Sequence, residues 1–278
     1  MVRGLRHPAT AKTFERERLR EGRAEEIAKR IVERAGIKRG DVVVDLGCGP
    51  GLVSKAVHDA AGGPKVYGVD HSKAMLRLAE KNFGELAGKR FFPVHSKASE
   101  FGKRMREEVQ HVIATNFFNR ISSEEQEKTV KEVHSVLSPG GRFIFNINGY
   151  AKDEKTELFF MKLLSHLREI AAARDLEFER EPRWALRVGG EEIIKTEDLL
   201  RESFEVGKEQ RVTTRSPRQF LENVTAVPNR TEHIVPVKGL NARKRAAIVR
   251  EAVKRTVEEI GEDFPLQWTQ AWFVCRRK

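Results

Sequence analysis

A glycine-rich segment near residue 45 has the residue types and the spacing of a ligand-binding turn. It reads Asp45-Leu-Gly-Cys-Gly-Pro-Gly51 and follows the apolar run Val42–Val44. Glycine has no Cβ, so the backbone can turn tightly here and a ligand can approach the main chain. A helix that begins after such a turn directs its amide donors at the polar groups of the ligand. The segment therefore predicts a strand, a tight turn and a helix that together bind a polar ligand.

An acidic residue at the end of the next predicted strand indicates the kind of ligand. Asp70 follows the strand Lys65–Val69, and an acid at this point can accept hydrogen bonds from both hydroxyls of a ribose. A dinucleotide fingerprint requires Gly or Ala where Leu52 stands. A P-loop is excluded as well, because Gly84–Lys89 is one residue short and Arg90 replaces the required Ser or Thr. The alternative is a tight turn without a ligand, but the order of strand, turn, helix and terminal acid favours a nucleoside site.

The elements that must position these residues alternate regularly between strand and helix. Apolar strands alternating with helices are typical of a parallel sheet that is covered on both faces. Ser122–Glu125 is a capping box that opens a helix, and Ser138–Gly141 indicates a turn before a strand. We predict an α/β fold: a doubly wound, mostly parallel seven-stranded sheet with helices on both faces and a helical cap insertion. The first five strands are predicted at Asp41–Leu46, Lys65–Val69, Arg90–Val94, Val112–Thr115 and Arg142–Ile147.

The regular alternation of strands and helices ends after residue 150, which predicts a second region with a different arrangement of elements. The domains are predicted as an N-terminal helical segment 1–39, a core of 40–149 and 196–278, and a cap insertion 150–195 to which 225–260 contributes. The last two strands are expected to join the edge of the sheet as a pair. The predicted elements are helices at 12–36, 153–176, Thr196–Ser203, Ser216–Val224 and Asn241–Ile260, a hairpin at Trp184–Lys195, and strands at Val206–Thr213 and Gln267–Cys275.

Composition limits the partners and the compartment. Charged residues make up 33% of the chain and the net charge is +11. This charge favours an anionic partner, or alternatively a solvated surface that keeps the protein soluble. No apolar run approaches the ~18 residues of a membrane span, no secretion signal is visible, and Cys48 and Cys275 are too few for a zinc cluster. We therefore expect a cytoplasmic protein with no membrane span and no metal.

The order Asp-x-Gly-x-Gly-x-Gly resembles the first motif of class I, Rossmann-like S-adenosylmethionine-dependent methyltransferases of the small-molecule type, and Leu137–Gly141 resembles their turn before the fifth strand. The resemblance is firm over residues 40–147. It implies S-adenosyl-L-methionine as cofactor, with Asp45 and the glycine segment at the methionine end, Asp70 on the ribose and Asn116 facing the sulfonium. The implied cofactor-binding residues are Asp45, Gly47, Cys48, Gly49, Gly51, Asp70, His71, Met75, Ser96, Lys97, Ala98 and Asn116.

Two positions depart from the pattern of that family. At the start of the fourth strand, Gln110-His111 stands where the family usually has an acid. The family often has Asp-Ala after the third strand, where the Asp accepts the amino group of the adenine. This chain has Ser96-Lys97-Ala98 instead. A lysine cannot accept a hydrogen bond, so Ser96, Ser99 or the backbone must replace the missing acceptor.

Methyl transfer from a sulfonium requires mainly that a nucleophile is aligned behind the methyl group. Orientation supplies ~7–11 kcal/mol of such a barrier, and a base is needed only where the acceptor must lose a proton early. Each candidate has a structural alternative, such as packing for His166 and core filling for the two phenylalanines. The catalytic candidates are His111, Tyr150, His166 and His233, and the substrate-binding candidates are Phe117, Phe118, Asn119 and Tyr150.

Three hypotheses on function remain at this stage. The first is methyl transfer to a small-molecule or lipid-like acceptor by in-line displacement beneath the cap. The second is methylation of RNA (tRNA or rRNA) or protein through the basic surface. The turn after the fourth strand, Asn116–Asn119, lacks the Pro-Pro-aromatic sequence of amino-directed nucleic-acid enzymes. The third is a non-catalytic module that only binds the cofactor, and the intact glycine segment argues against it.

Overall fold

The structure is a computed structural model that describes residues 23–150, 153–179, 197–226, 231–232 and 234–278. The predicted hairpin Trp184–Lys195, most of the N-terminal segment and His233 lie outside the described residues, as do the side chains of Asn119 and Tyr150.

Seven strands form one sheet in the order β3-β2-β1-β4-β5-β7-β6. The neighbouring pairs among β1 to β5 are parallel. The contacts of β7 run in the opposite sense, because Phe273 stacks on Phe145 while Gln270 donates to Asn148. The predicted fold class is confirmed, including the two final strands at one edge. The strands are β1 Val42–Leu46, β2 Lys65–Asp70, β3 Phe91–His95, β4 Val109–Ala114, β5 Leu137–Tyr150, β6 Phe204–Arg215 and β7 Leu266–Arg277.

Helices cover both faces of this sheet, which explains why successive residues of its central strands are apolar, as in Val42–Val44 and Val112–Ala114. On β4, Val112 belongs to one apolar core and its neighbour Ile113 to the other. Val130 and Val133 of α4 pack into the first core, and residues of α1, α2 and α3 pack into the second. The helices are α1 Arg23–Ala35, α2 Leu52–Ala60, α3 Lys73–Phe83 and α4 Ser123–Val136.

The turn predicted at Ser138–Gly141 is a bulge inside β5. Val109 of β4 pairs with Leu137 of β5, and the next pair is His111 with Arg142, so β5 contains extra residues between the two pairs. The strand therefore begins before Arg142, which corrects the predicted boundary. Gly141 is required here, because a Cβ would lie 2.8 Å from the carbonyl oxygen of Ser138.

The chain divides into two compact units. One contains Met1–Ile147, Ile193–Glu209 and Ala271–Lys278, and the other contains Asn148–Glu192 and Gln210–Gln270. Three helices of the second unit are α5 Glu154–Ala172, α6 Pro217–Ala226 and α7 Ala242–Ile260.

The second unit has an apolar core of its own. Phe159, Leu163 and Leu167 of α5 are fully buried, and they belong to one cluster with Phe220 and Val249. The apolar side of α5 is thus accounted for by the core of its own unit. The role of this unit as a cap stays a prediction.

None of the helices in the described ranges combines the length and the apolar character that crossing a bilayer requires.

Candidate functional site

The glycine-rich segment forms a loop between β1 and α2, close to the end of β2. The amides of Gly47 and Cys48 both donate to the carbonyl oxygen of Val69, at 2.8 and 3.1 Å. All three glycines have positive φ: 68° at Gly47, 55° at Gly49 and 74° at Gly51. Residues with a Cβ adopt this conformation only under strain, so the loop geometry itself requires glycine.

The three glycines also differ in what surrounds them. A Cβ on Gly47 would lie 2.2 Å from Cδ2 of Phe117, and a Cβ on Gly51 would lie 2.9 Å from Cβ of Ala79. A Cβ on Gly49 would meet no atom of the described residues within 4 Å. Gly47 and Gly51 thus permit contacts within the protein, whereas Gly49 is the one that faces open space.

The carboxylate of Asp70 connects this loop to the end of β2. Its Oδ2 accepts from the amide of Gly49 at 3.0 Å, and its Oδ1 accepts from the amide of Ser72 at 2.8 Å. Asp70 is 8% exposed, and each oxygen of its carboxylate can accept more than one hydrogen bond. Nδ1 of His71 lies 3.5 Å from Oδ1. A buried acid in this position can receive the hydroxyls of a ribose.

Asp45 lies beneath the same loop and is 1% exposed. Its Oδ2 accepts from the hydroxyl of Ser54 at 2.5 Å, which ties the end of β1 to α2.

Cys48 is a buried, neutral thiol. Burial, together with the negative charges of Asp45 and Asp70, raises the pKa of Cys48 well above its usual value of 9.0. The thiolate is the nucleophilic form, so Cys48 has a structural role in the loop.

Residues at the end of β3 lie beside Asp70. The amide of Ser96 donates to the carbonyl oxygen of Asp70 at 3.3 Å, and Ala98 is buried. Met75, in the first turn of α3, is 2% exposed. Lys97 is exposed, with its ammonium 3.6 Å from Glu100. The structure thus brings the Ser96 backbone beside Asp70, while Lys97 is exposed and lies near Glu100.

The turn after β4 is held by a residue that the sequence analysis missed. Asn116 has a positive φ of 52°. Oδ1 of Asn146 on β5 accepts from the amide of Asn116 at 2.9 Å, and its Nδ2 donates to Oδ1 of Asn116 at 3.1 Å. Asn146 is 1% exposed. The available signal was a single amide within the apolar strand Arg142–Ile147.

Two adjacent phenylalanines, both predicted to bind substrate, have different environments. Phe117 is partly buried and its ring lies against Gly47. Phe118 is fully buried, with its ring centroid 5.7 Å from that of Phe143 and 4.6 Å from that of Phe145. The prediction for Phe118 is therefore corrected: its ring fills the core.

Each of the two described histidine candidates contacts a carboxylate that does not belong to the glycine loop. Nε2 of His111 contacts Oδ2 of Asp41 at 3.1 Å, at the amino-terminal edge of the parallel strands. Burial lowers the pKa of His111, although the charge of Asp41 opposes this effect. His166 lies on α5, with Nε2 3.2 Å from Glu259. The candidate site in the first unit therefore combines the glycine loop, Asp70 and the Asn116–Phe117 turn.

Several known proteins with similar sequences are named as methyltransferases. Residues 43–141 match a family model described as a methyltransferase domain. The uncharacterized methyltransferase YdaC of Bacillus subtilis (strain 168) is 24% identical over 151 residues, which cover 53% of this chain and 80% of that protein. The malonyl-acyl-carrier-protein O-methyltransferase of Paenibacillus sp. (strain JDR-2) is 22% identical over 224 residues, which cover 80% of this chain and 78% of that protein.

A solved structure with the same fold contains the demethylated form of the cofactor. Phosphoethanolamine N-methyltransferase 2 of Haemonchus contortus, in complex with phosphomonomethylethanolamine and S-adenosylhomocysteine, matches with a TM-score of 0.50 and 18% identity. The match covers 91% of this chain and 52% of that one.

The geometry of the loop fits the cofactor of such enzymes. Open space at Gly49 adjoins an acidic acceptor, Asp70, and the start of α2, whose amides favour negatively charged groups. Residues 43–141 match a methyltransferase domain and the sheet has a Rossmann-like strand order, so we conclude that this chain is an S-adenosyl-L-methionine-dependent methyltransferase.

Proposed function

We propose that this enzyme transfers the methyl group to a small-molecule or lipid-like acceptor by in-line displacement. The observation that carries this proposal is the turn after β4, where the ring of Phe117 lies against Gly47 at the carboxyl-terminal edge of the sheet. Open α/β sheets bind ligands outside this edge. A partly buried aromatic ring at this position suits an acceptor with an apolar portion.

We further propose that Asp70 binds the ribose of the methyl donor and that the loop 47–51 binds its methionine end. The hydrogen bonds from Gly49 and Ser72 fix the carboxylate of Asp70, so its orientation is set before the ribose binds. Once bound, the donor supplies an already activated methyl group.

The protein then contributes mainly orientation, since the described histidine candidates are engaged with Asp41 and Glu259. Alignment of acceptor and methyl group can account for ~7–11 kcal/mol of the barrier without a base. An acceptor that is already nucleophilic, such as a neutral amine or a carboxylate, fits this arrangement best.

The names of two relatives support a small or chain-like acceptor. One acts on a malonyl group and the other binds phosphomonomethylethanolamine in its solved structure. The malonyl group is attached to an acyl carrier protein, and phosphomonomethylethanolamine is a small molecule.

The test uses S-adenosylmethionine that carries an isotopically labelled methyl group, with separate low-molecular-weight, lipid, protein and RNA fractions of a cell extract. We expect label in the low-molecular-weight or lipid fraction, and none with the Asp70→Ala variant. Labelling of bulk tRNA, rRNA or protein instead would overturn the proposal in favour of the basic surface as a macromolecular binding site.

A further inference from the structure

Asn146 is a buried amide in an otherwise apolar part of β5. Its neighbours Phe145 and Ile147 are both buried, and Asn146 itself is 1% exposed. Burial of an amide is unfavourable unless its donors and acceptors are satisfied. Asn146 directs its acceptor and a donor to one residue, Asn116, at 2.9 and 3.1 Å. Because a buried side chain directs two hydrogen bonds to a single residue, we infer that it holds that residue in a particular conformation.

Asn116 has a backbone conformation that requires support. Its φ of 52° lies in the left-handed region, which is unfavourable for most residues with a Cβ and which asparagine tolerates better than most. The bond from the Asn116 amide to Asn146 stabilises this conformation, and Nε of Arg120 also donates to the carbonyl oxygen of Asn116 at 2.7 Å. The turn is therefore fixed by hydrogen bonds on both sides of one residue.

The direction of the chain at Asn116 determines where Phe117 lies. The ring of Phe117 is so close to Gly47 that a Cβ there would be 2.2 Å from Cδ2. If Asn116 returned to an extended conformation, Phe117 would be directed elsewhere, because the two residues are adjacent. The position of this ring on the glycine loop thus depends on Asn146.

We propose that Asn146 is a positioning residue of the methyl-donor site: by holding Asn116 in the left-handed conformation, it keeps Phe117 against Gly47 and so fixes the wall of the subsite for the methionine end. This inference rests on the proposed donor site at the glycine loop. Asn146 acts through Asn116 and Phe117 and contacts neither donor nor acceptor.

The first test compares Asn146→Ala with a matched control at the amino-terminal edge of the parallel strands. Oε1 of Gln110 on β4 accepts from the backbone amide of Val42 at 2.8 Å, so Gln110→Ala also removes a side-chain acceptor from a backbone amide. Binding of S-adenosylhomocysteine is measured by calorimetry, and stability by thermal melting. We expect both variants to melt at lower temperature, but only Asn146→Ala to bind about tenfold more weakly, since a buried amide loses its partner beside the ligand.

The second test separates positioning from direct contact by changing Asn116. Glycine accepts a φ of 52° without strain, whereas a β-branched valine does not. We expect Asn116→Gly to lose less affinity for S-adenosylhomocysteine than Asn116→Val, because glycine keeps the backbone conformation and loses only the side chain, whereas Asn116→Val should lose about as much as Asn146→Ala, roughly tenfold. The double variant Asn146→Ala/Asn116→Gly should recover part of the loss.

The outcomes distinguish this inference from the proposed site. If Asp70→Ala abolishes binding while Asn146→Ala binds as tightly as the wild type, the positioning role is wrong and the donor site stands. Equal losses for Asn116→Gly and Asn116→Val would also overturn it, because the side chain of Asn116 would then contact the ligand itself. If Asp70→Ala leaves binding unchanged, the donor site is wrong and the inference falls with it.

Discussion

The two edges of the parallel sheet each contain a buried carboxylate, but the two carboxylates have different surroundings. Asp41 and Asp70 are both 8% exposed, and each accepts a backbone amide, from Lys38 at 2.9 Å and from Gly49 at 3.0 Å. At the amino-terminal edge, the second partner of Asp41 is the ring of His111. At the carboxyl-terminal edge, the amide that binds Asp70 belongs to a left-handed glycine in the loop that leads into α2.

This difference shows that burial of an acid does not by itself mark a binding site. Gly40, near Asp41, also has a positive φ, and a Cβ there would likewise meet none of the described atoms within 4 Å. Only at the carboxyl-terminal edge do an acid, successive left-handed glycines and the start of a helix converge. The amino-terminal edge therefore provides matched controls for variants at the other edge.

The largest effect is expected from a valine in the glycine loop. Gly49→Val places a branched side chain into the open space beside Asp70 and in a strained conformation, so S-adenosylhomocysteine should no longer bind measurably. Gly40→Val introduces comparable strain at the other edge and should leave the affinity unchanged. Calorimetry measures binding and thermal melting measures stability. Normal affinity in a folded Gly49→Val protein would mean that the loop is only a structural turn.

Removal of the two carboxylates should give the next largest effect. Asp70→Ala loses the acceptor that we propose for the ribose hydroxyls, at about 1.5–3 kcal/mol for each charge-assisted hydrogen bond. Asp41→Ala should destabilise the fold without changing affinity, since its partners are Lys38 and His111. Parallel titrations of both variants with S-adenosylhomocysteine test this. Equal losses of affinity would contradict the assignment of the site to the carboxyl-terminal edge.

The smallest effect is a pH dependence that belongs to the amino-terminal edge. Burial is the main reason that the pKa of His111 lies below its usual 6.5; the charge of Asp41 opposes this shift, while Arg142 and Lys38 reinforce it. As the pH falls below 6.5, the unfolded chain binds the proton first, so the free energy of unfolding decreases by at most ~1.4 kcal/mol per pH unit.

Replacement of His111 by glutamine should remove this decrease in the free energy of unfolding at low pH. Denaturant unfolding at pH 5.5 and pH 7.5, chosen about one unit on either side of the ordinary histidine pKa, gives the measurement. The affinity for S-adenosylhomocysteine should be the same in both proteins at each pH. A change in affinity on substitution of His111 would show that the two edges are energetically coupled. It would contradict the view that the amino-terminal edge has no influence on cofactor binding.

The carboxyl-terminal edge could be predicted from sequence because its signals are local. The glycine segment and Asp70 each follow a strand directly, and the strand periodicity placed both at one edge. The Asn146–Asn116 pair could not be predicted in this way, since its members are separated by 30 positions and neither has a local partner pattern. Phe117 and Phe118 illustrate the same limit: only the turn at Asn116 decides which ring is in the core.

The apolar side of α5 shows a further limit of periodicity. A helical stripe predicts that one face is buried, but it does not identify the partner. Phe159 and Phe160 pack against Phe220, about 60 positions later in the sequence, at centroid distances of 5.5 and 5.6 Å. The partner of a buried stripe is therefore a tertiary property, set by contacts between distant segments.

The close approach of Phe117 to Gly47 links the permitted residue types at two positions that lie far apart in the chain. With Cδ2 of the ring 2.2 Å from the place of a Cβ, position 47 accepts a larger residue only if position 117 becomes small. Among homologous sequences, the two positions should therefore vary together. A screen of libraries that vary positions 47 and 117 together should recover two main classes of folded variants. One class has glycine at 47 and an aromatic residue at 117, and the other has asparagine at 47 and alanine or glycine at 117.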